Sequence, residues 1–126
     1  MRLTIVWSLL GLLATASAQD VGAQAQKLER AGEVVRARAV LARAAESNPR
    51  DVGAQRAYAG FLDRYGDATR RDVYDRLLNA LPSGAERATV ARRLVLLDLV
   101  AGDREAAVRH LQAYRDAGGS LAADAE

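Results

Sequence analysis

The chain has 126 residues, half of them apolar but only 5% aromatic, a balance set by many Ala and Leu residues. Such a composition favours helices over strands and argues against disorder. Eighteen basic residues stand against 16 acidic ones, with Lys27 the only lysine, and cysteine is absent; disulfides, thiolate metal sites, Cys nucleophiles and lipid-acylated cysteines are excluded, and no one-sign block suggests nucleic acid.

Taken in chain order, residues 1–18 carry the pattern of a secretory signal peptide. Arg2 gives the cationic start, Leu3 to Ala14 the apolar stretch, and Ala16-Ser17-Ala18 the small-residue end, with cleavage expected before Gln19. The apolar stretch is shorter than the roughly 20 residues that cross hydrocarbon, which makes a retained anchor the weaker reading. The mature part is then expected in the periplasm or secreted, with no membrane span left after cleavage.

Residues 19–119 are punctuated by two interleaved series of breaks. Gly32-Glu33, Gly66-Asp67 and Gly102-Asp103 recur at spacings of 34 and 36 residues, each between apolar helical runs. Glycine ends a helix cheaply, and the acid beside it suits the positive start of the next one. Between these inner turns fall outer turns at Asn48-Pro49 and Leu81-Pro82-Ser83, their prolines 33 residues apart. The breaks predict helices over 20–31, 33–47, 52–65, 69–81, 84–101 and 103–117. Asp51 is the expected cap of the third helix; Thr69 with Asp72 and Ser83 with Glu86 form capping-box patterns for the fourth and fifth.

Within these helices, Val34, Ala37, Leu41 and Ala44 form one apolar stripe, and Ala107, Leu111 and Tyr114 another. The fifth helix is apolar round most of its circumference, through Leu94, Val95, Leu96, Leu97, Leu99 and Val100. It is expected to be the central packing element, buried on several sides. Gly118-Gly119 ends the sixth helix, and Ser120 to Glu126 reads as a tail or the start of a further helix.

This pattern resembles the tetratricopeptide repeat family. In the first unit Leu28, Gly32, Ala37, Leu41, Ala44 and Pro49 stand where that family places its apolar, turn, small, bulky, small and terminating residues. Gly66, Tyr74 and Pro82 match in the second, where Arg70 and Arg71 occupy a region usually small. Leu94, Gly102, Ala107 and Leu111 match in the third, where Tyr114 replaces a small residue. The resemblance implies an all-α fold, a right-handed α-solenoid of about three antiparallel hairpins. It also implies a concave surface, lined by the first helix of each hairpin, that receives a protein or peptide. Arg56 and Arg92 fall near such groove positions and are the candidate partner-binding residues. The competing architecture is a non-repeat helical bundle with evenly spaced turns.

No catalytic, cofactor-binding or metal constellation stands out. The lone histidine, His110, has Arg109, Gln112 and Ala113 as sequence neighbours and reads as a helix-surface residue rather than an oriented base. A metal site needs several converging ligands, and the phosphate-binding glycine loops are missing. Asp98 interrupts the most apolar helix, so a buried carboxylate there must find a cation or donors, usually a structural pair with an arginine, a groove-facing anchor for a ligand being the minority reading. The sequence therefore points to a non-catalytic, exported protein–protein interaction scaffold without cofactors, nucleic acid or metal. Its partner is expected in the cell envelope. An accessory repeat region of a larger exported enzyme is the alternative, and self-association through an uncapped apolar end a third reading.

Overall fold

A computed structural model describes residues 18–120 of the chain. The expected leader, apart from Ala18, and residues 121–126 of the expected tail lie outside the described residues. Those described form six helices and no strand: α1 (Ala18–Arg30), α2 (Val34–Ser47), α3 (Val52–Arg64), α4 (Arg70–Ala80), α5 (Ala85–Val100) and α6 (Arg104–Asp116). Each lies within two residues of the helix expected from the breaks.

The inner turns share one geometry. Gly32, Gly66 and Gly102 have φ of 77°, 63° and 73°, a left-handed conformation that costs glycine little and other residues more. The amide after each reaches back over a full turn: Glu33 N to Leu28 O at 2.8 Å, Asp67 N to Leu62 O at 2.9 Å, and Asp103 N to Asp98 O at 2.9 Å. These bonds satisfy carbonyls that a helix end would otherwise leave open.

Capping follows the expected acids only in part. Asp51 accepts from Ala54 N at 3.1 Å and Asp103 from Ala106 N at 3.0 Å. Thr69 makes no side-chain cap; Asp67 instead accepts from both its backbone amide and its hydroxyl, at 2.8 and 2.7 Å. The Ser83–Glu86 box is not formed either, because Gly84 is the residue at the N-terminus of α5 and Glu86 is engaged across the stack. At the other side of that turn, Arg87 Nη1 donates to Leu78 O and Leu81 O at 2.7 and 2.8 Å, closing the end of α4.

Helix packing is sequential. The pairs α1–α2, α3–α4 and α5–α6 form the hairpins, α2–α3 and α4–α5 join them, and α1 also meets α3. The result is an all-α stack of antiparallel hairpins, an α-solenoid, in which α1 touches neither α5 nor α6. Alanines without exposure (Ala37, Ala45, Ala59 and Ala91) mark where helices approach closely, and Phe61, Leu62, Leu77 and Leu94 fill the space around them. Burying each of those larger side chains contributes about 2 kcal/mol, and the alanines let neighbouring helices approach closely enough to exclude voids.

One expectation is corrected here. α5 is not the centre of the molecule, for its outer stripe is open: Leu96 is 48%, Leu99 55% and Val100 83% exposed. Apolar residues all round a helix had implied burial on several sides, but among the described helices α5 comes into close backbone contact with α4 and α6 alone and reaches α3 through the Arg56–Glu86 and Asp63–Arg93 ion pairs.

Candidate functional site

The two expected partner-binding residues occupy one register. Arg56 on α3 and Arg92 on α5 stand at the same offset before Gly66 and Gly102, and both are exposed. Arg56 is already engaged: its Nε and Nη2 donate to Glu86 Oε1 and Oε2 at 2.6 and 2.9 Å, a two-pronged pair from α3 to α5. That hydrogen bonding raises the Arg56 pKa and lowers that of Glu86. Both side chains are about half exposed, so solvent screens the attraction.

Charged pairs of this kind recur along the stack and connect one hairpin to the next. Glu29 at the end of α1 accepts from Arg64 Nη2 at 2.9 Å and from the Tyr65 hydroxyl at 3.1 Å. A shallow cleft of about 260 Å³ lies there, lined by Gln26, Glu29, Arg30 and Arg64. Asp63, at the equivalent place in α3, takes a bidentate fork from Arg93 of α5, Nε to Oδ2 at 3.0 Å and Nη2 to Oδ1 at 2.6 Å. The Tyr74 hydroxyl donates to the same carboxylate at 2.8 Å, and Arg70 Nε stands 3.7 Å away. Arg93 holds the Asp63 carboxyl below its usual range, while burial, reinforced by Asp63, pushes the Tyr74 phenol up to about 12.

The most buried charge is Asp98, 1% exposed. Arg71 of α4 donates to its Oδ1 from Nε at 3.1 Å and from Nη2 at 2.7 Å, and Nη2 also reaches Asp103 Oδ2 at 3.0 Å. On its other oxygen, Asp98 Oδ2 lies 2.5 Å from His110 Nδ1, and the opposite ring nitrogen, Nε2, lies 3.0 Å from Asp75 Oδ1. Arg71 is held charged by its bonds to Asp98 and then Asp103. The Asp103 carboxyl is held low first by the Ala106 amide it caps and then by Arg71. Side chains from α4, α5 and α6 thus close round one carboxylate.

This cluster corrects the reading of His110 as a helix-surface residue without an orienting carboxylate. Its ring sits between two carboxylates supplied by other helices, 12 and 35 residues away in the chain. Each ring nitrogen is thus engaged by a carboxylate of a neighbouring helix. The expected pairing of Asp98 with an arginine is met by Arg71, one of the two arginines whose place in a small-residue region had been anomalous. Among the described residues, no three His, Cys, Asp or Glu side chains are grouped so that they could hold a metal ion, and no helix is long and apolar enough to cross a membrane. No protein-family model, curated protein or solved structure matches the chain.

Proposed function

We propose that this protein is an exported scaffold or adaptor of the tetratricopeptide kind, which binds a protein or peptide of the cell envelope and performs no catalysis itself. The observation that carries the reading is the repetition of Arg56 and Arg92 at one offset on the exposed faces of successive first helices. Beneath them, cross-hairpin pairs such as Asp63–Arg93 and Glu29–Arg64 tie each unit to the next. A surface of this kind presents regularly spaced guanidinium groups, which suit carboxylates or backbone carbonyls of an extended partner. Arg56 meets such a ligand by exchanging Glu86 for the ligand's own acid, so acidic peptides are the favoured class.

Charge reversal tests this. An Arg56→Glu, Arg92→Glu variant is expected to lose binding to partners crosslinked in envelope extracts by tenfold or more while keeping its helical circular dichroism. Retention of the same partners at the same strength sinks the reading. Export is checked separately by the intact mass of the protein from the periplasmic fraction, which should correspond to a chain beginning at Gln19. A full-length mass in the cytoplasmic fraction alone contradicts it.

A further inference from the structure

We infer, resting on the groove reading of Arg56, that the cleft between α1 and α3 receives a second carboxylate of the same acidic peptide. The cleft, about 260 Å³, is lined by Gln26, Glu29 and Arg30 of α1 and by Arg64 of α3. Pockets that enclose whole small molecules run from roughly 300 to 1,000 Å³, so this open one suits a single side chain. Its balance of charge is positive. Glu29 is neutralised by Arg64 Nη2 at 2.9 Å, with the Tyr65 hydroxyl on its other oxygen at 3.1 Å, which leaves the charge of Arg30 uncompensated. Among the described residues neither Arg30 nor Gln26 has a hydrogen-bond or ion-pair partner, so a guanidinium and an amide on the α1 wall are available to an incoming carboxylate. Arg64 is already held, its Nη2 by Glu29 and its guanidinium carbon 5.9 Å from the centre of the Phe61 ring. A side chain ordered beforehand loses less freedom on binding.

The path from Arg56 to this cleft is bare. Arg56, Gly60 and Arg64 follow one another at four-residue spacing on α3 and so form one row along its surface. Gly60 stands inside the helix, where glycine weakens what alanine would strengthen. Neither conformation nor space requires it: the backbone there is helical, and a Cβ would meet only Arg64 Nη1, at an ordinary 3.8 Å. At the same register α1 carries Gln26 and α5 carries Leu96. Contacts within the chain therefore give no reason for the glycine. A peptide main chain crossing from Arg56 to Arg64 gives one, because the missing side chain lets it approach the helix closely. Arg56 and Arg64 are eight residues apart, about 12 Å along the helix. An extended peptide covers roughly 3.3–3.6 Å per residue, so its two acids stand about three or four residues apart. A free anion is the poorer occupant, since a single exposed ion pair contributes little. Once one carboxylate is on Arg56, the second contact is intramolecular and needs only the right spacing.

Fluorescence anisotropy on protein purified from cells expressing the full chain tests this with labelled peptides of Gly, Ser and Gln. One carries a single glutamate, one a pair at the spacing just given, and one an adjacent pair, all at about 10 mM ionic strength, where surface charges are weakly screened. The spaced pair is expected to bind about fivefold more tightly than either of the others. Arg30→Gln should bring the spaced pair down to the level of the single glutamate. Gly60→Leu should do the same while helical circular dichroism is kept and the thermal midpoint does not fall, since leucine is the better helix former. If leucine disturbs α3, Arg30→Gln decides the matter, because Arg30 is exposed and holds nothing in place. Equal binding of the three peptides, an advantage of two acids that ignores their spacing, one that survives Arg30→Gln, or full binding by a folded Gly60→Leu variant would each overturn the second site and leave the reading of Arg56 and Arg92 standing. Failure of every acidic peptide to bind overturns both.

Discussion

Asp63 and Asp98 lie near the C-terminal ends of α3 and α5 and both accept from arginine, yet they are held in different ways. Asp63 is one-fifth exposed and gathers Arg93 from the following hairpin together with Tyr74 and the nearby Arg70. Asp98 is almost wholly enclosed and gathers Arg71 from the preceding helix and His110 from the one that follows. The first carboxylate binds one hairpin to the next across a surface that water still reaches. The second fastens three consecutive helices from inside. A partly solvated pair adds modestly to stability, whereas a buried one is costly to break, because removing either partner leaves the other without its counter-charge.

That contrast can be broken experimentally. Asp98→Ala is expected to have the largest effect, a loss of about 3 kcal/mol measured by urea unfolding; a loss below about 1 kcal/mol would show that Arg71 and His110 relax to solvent without penalty. Asp63→Ala should cost less, about 1–2 kcal/mol, since Arg93 and Arg70 keep access to water and the Tyr74 hydroxyl is the group left unserved. A loss as large as that of Asp98→Ala would erase the distinction between the two centres.

The pH dependence sharpens the comparison further. The Asp63 carboxyl is depressed in the folded state, so its contribution is present above the ordinary aspartate value and is lost as pH falls through the folded value. Asp63→Asn should accordingly flatten the acid limb of stability against pH. At the alkaline end the sign is opposite. Tyr74 is raised from 10.0 to about 12, so its contribution is complete below the unfolded value and disappears as pH climbs toward about 12. Ultraviolet difference titration should find a tyrosine ionising toward about 12 in the native protein, and Tyr74→Phe should remove it. The smallest effect is expected for Glu86→Ala, about 0.5 kcal/mol or less, because Arg56 and Glu86 are both half exposed. The same variant should strengthen binding of an acidic peptide if Glu86 competes for Arg56.

Much of the backbone was legible in the sequence because its joints are chemical. Glycines that adopt positive φ, prolines that end helices and acids beside the turns recur at nearly constant spacing, and they place six helices within two residues of where they lie. The side-chain sites were less legible. Asp98 demanded a cation on hydrophobic grounds alone, and Arg71 supplies it; but His110 acquires its carboxylates from α4 and α5, and no local pattern around His110 encodes a contact between helices. Reading the acid three residues before each turn glycine against the arginines of the next unit would have found Glu29–Arg64 and Asp63–Arg93. The exposure of α5 escaped a count of apolar residues because such a count records how greasy a helix is, not how many neighbours it has.

The strictly sequential packing described above has a kinetic side. Every helix–helix contact joins elements one or two steps apart in the chain, so the fold has low contact order and requires no meeting of distant ends. A hairpin can form and template the adjoining one in either direction. Amide exchange should then be graded along the molecule, fastest in the terminal helices that have a neighbour on one side and slowest in α3 and α4, where protection approaches that of global unfolding.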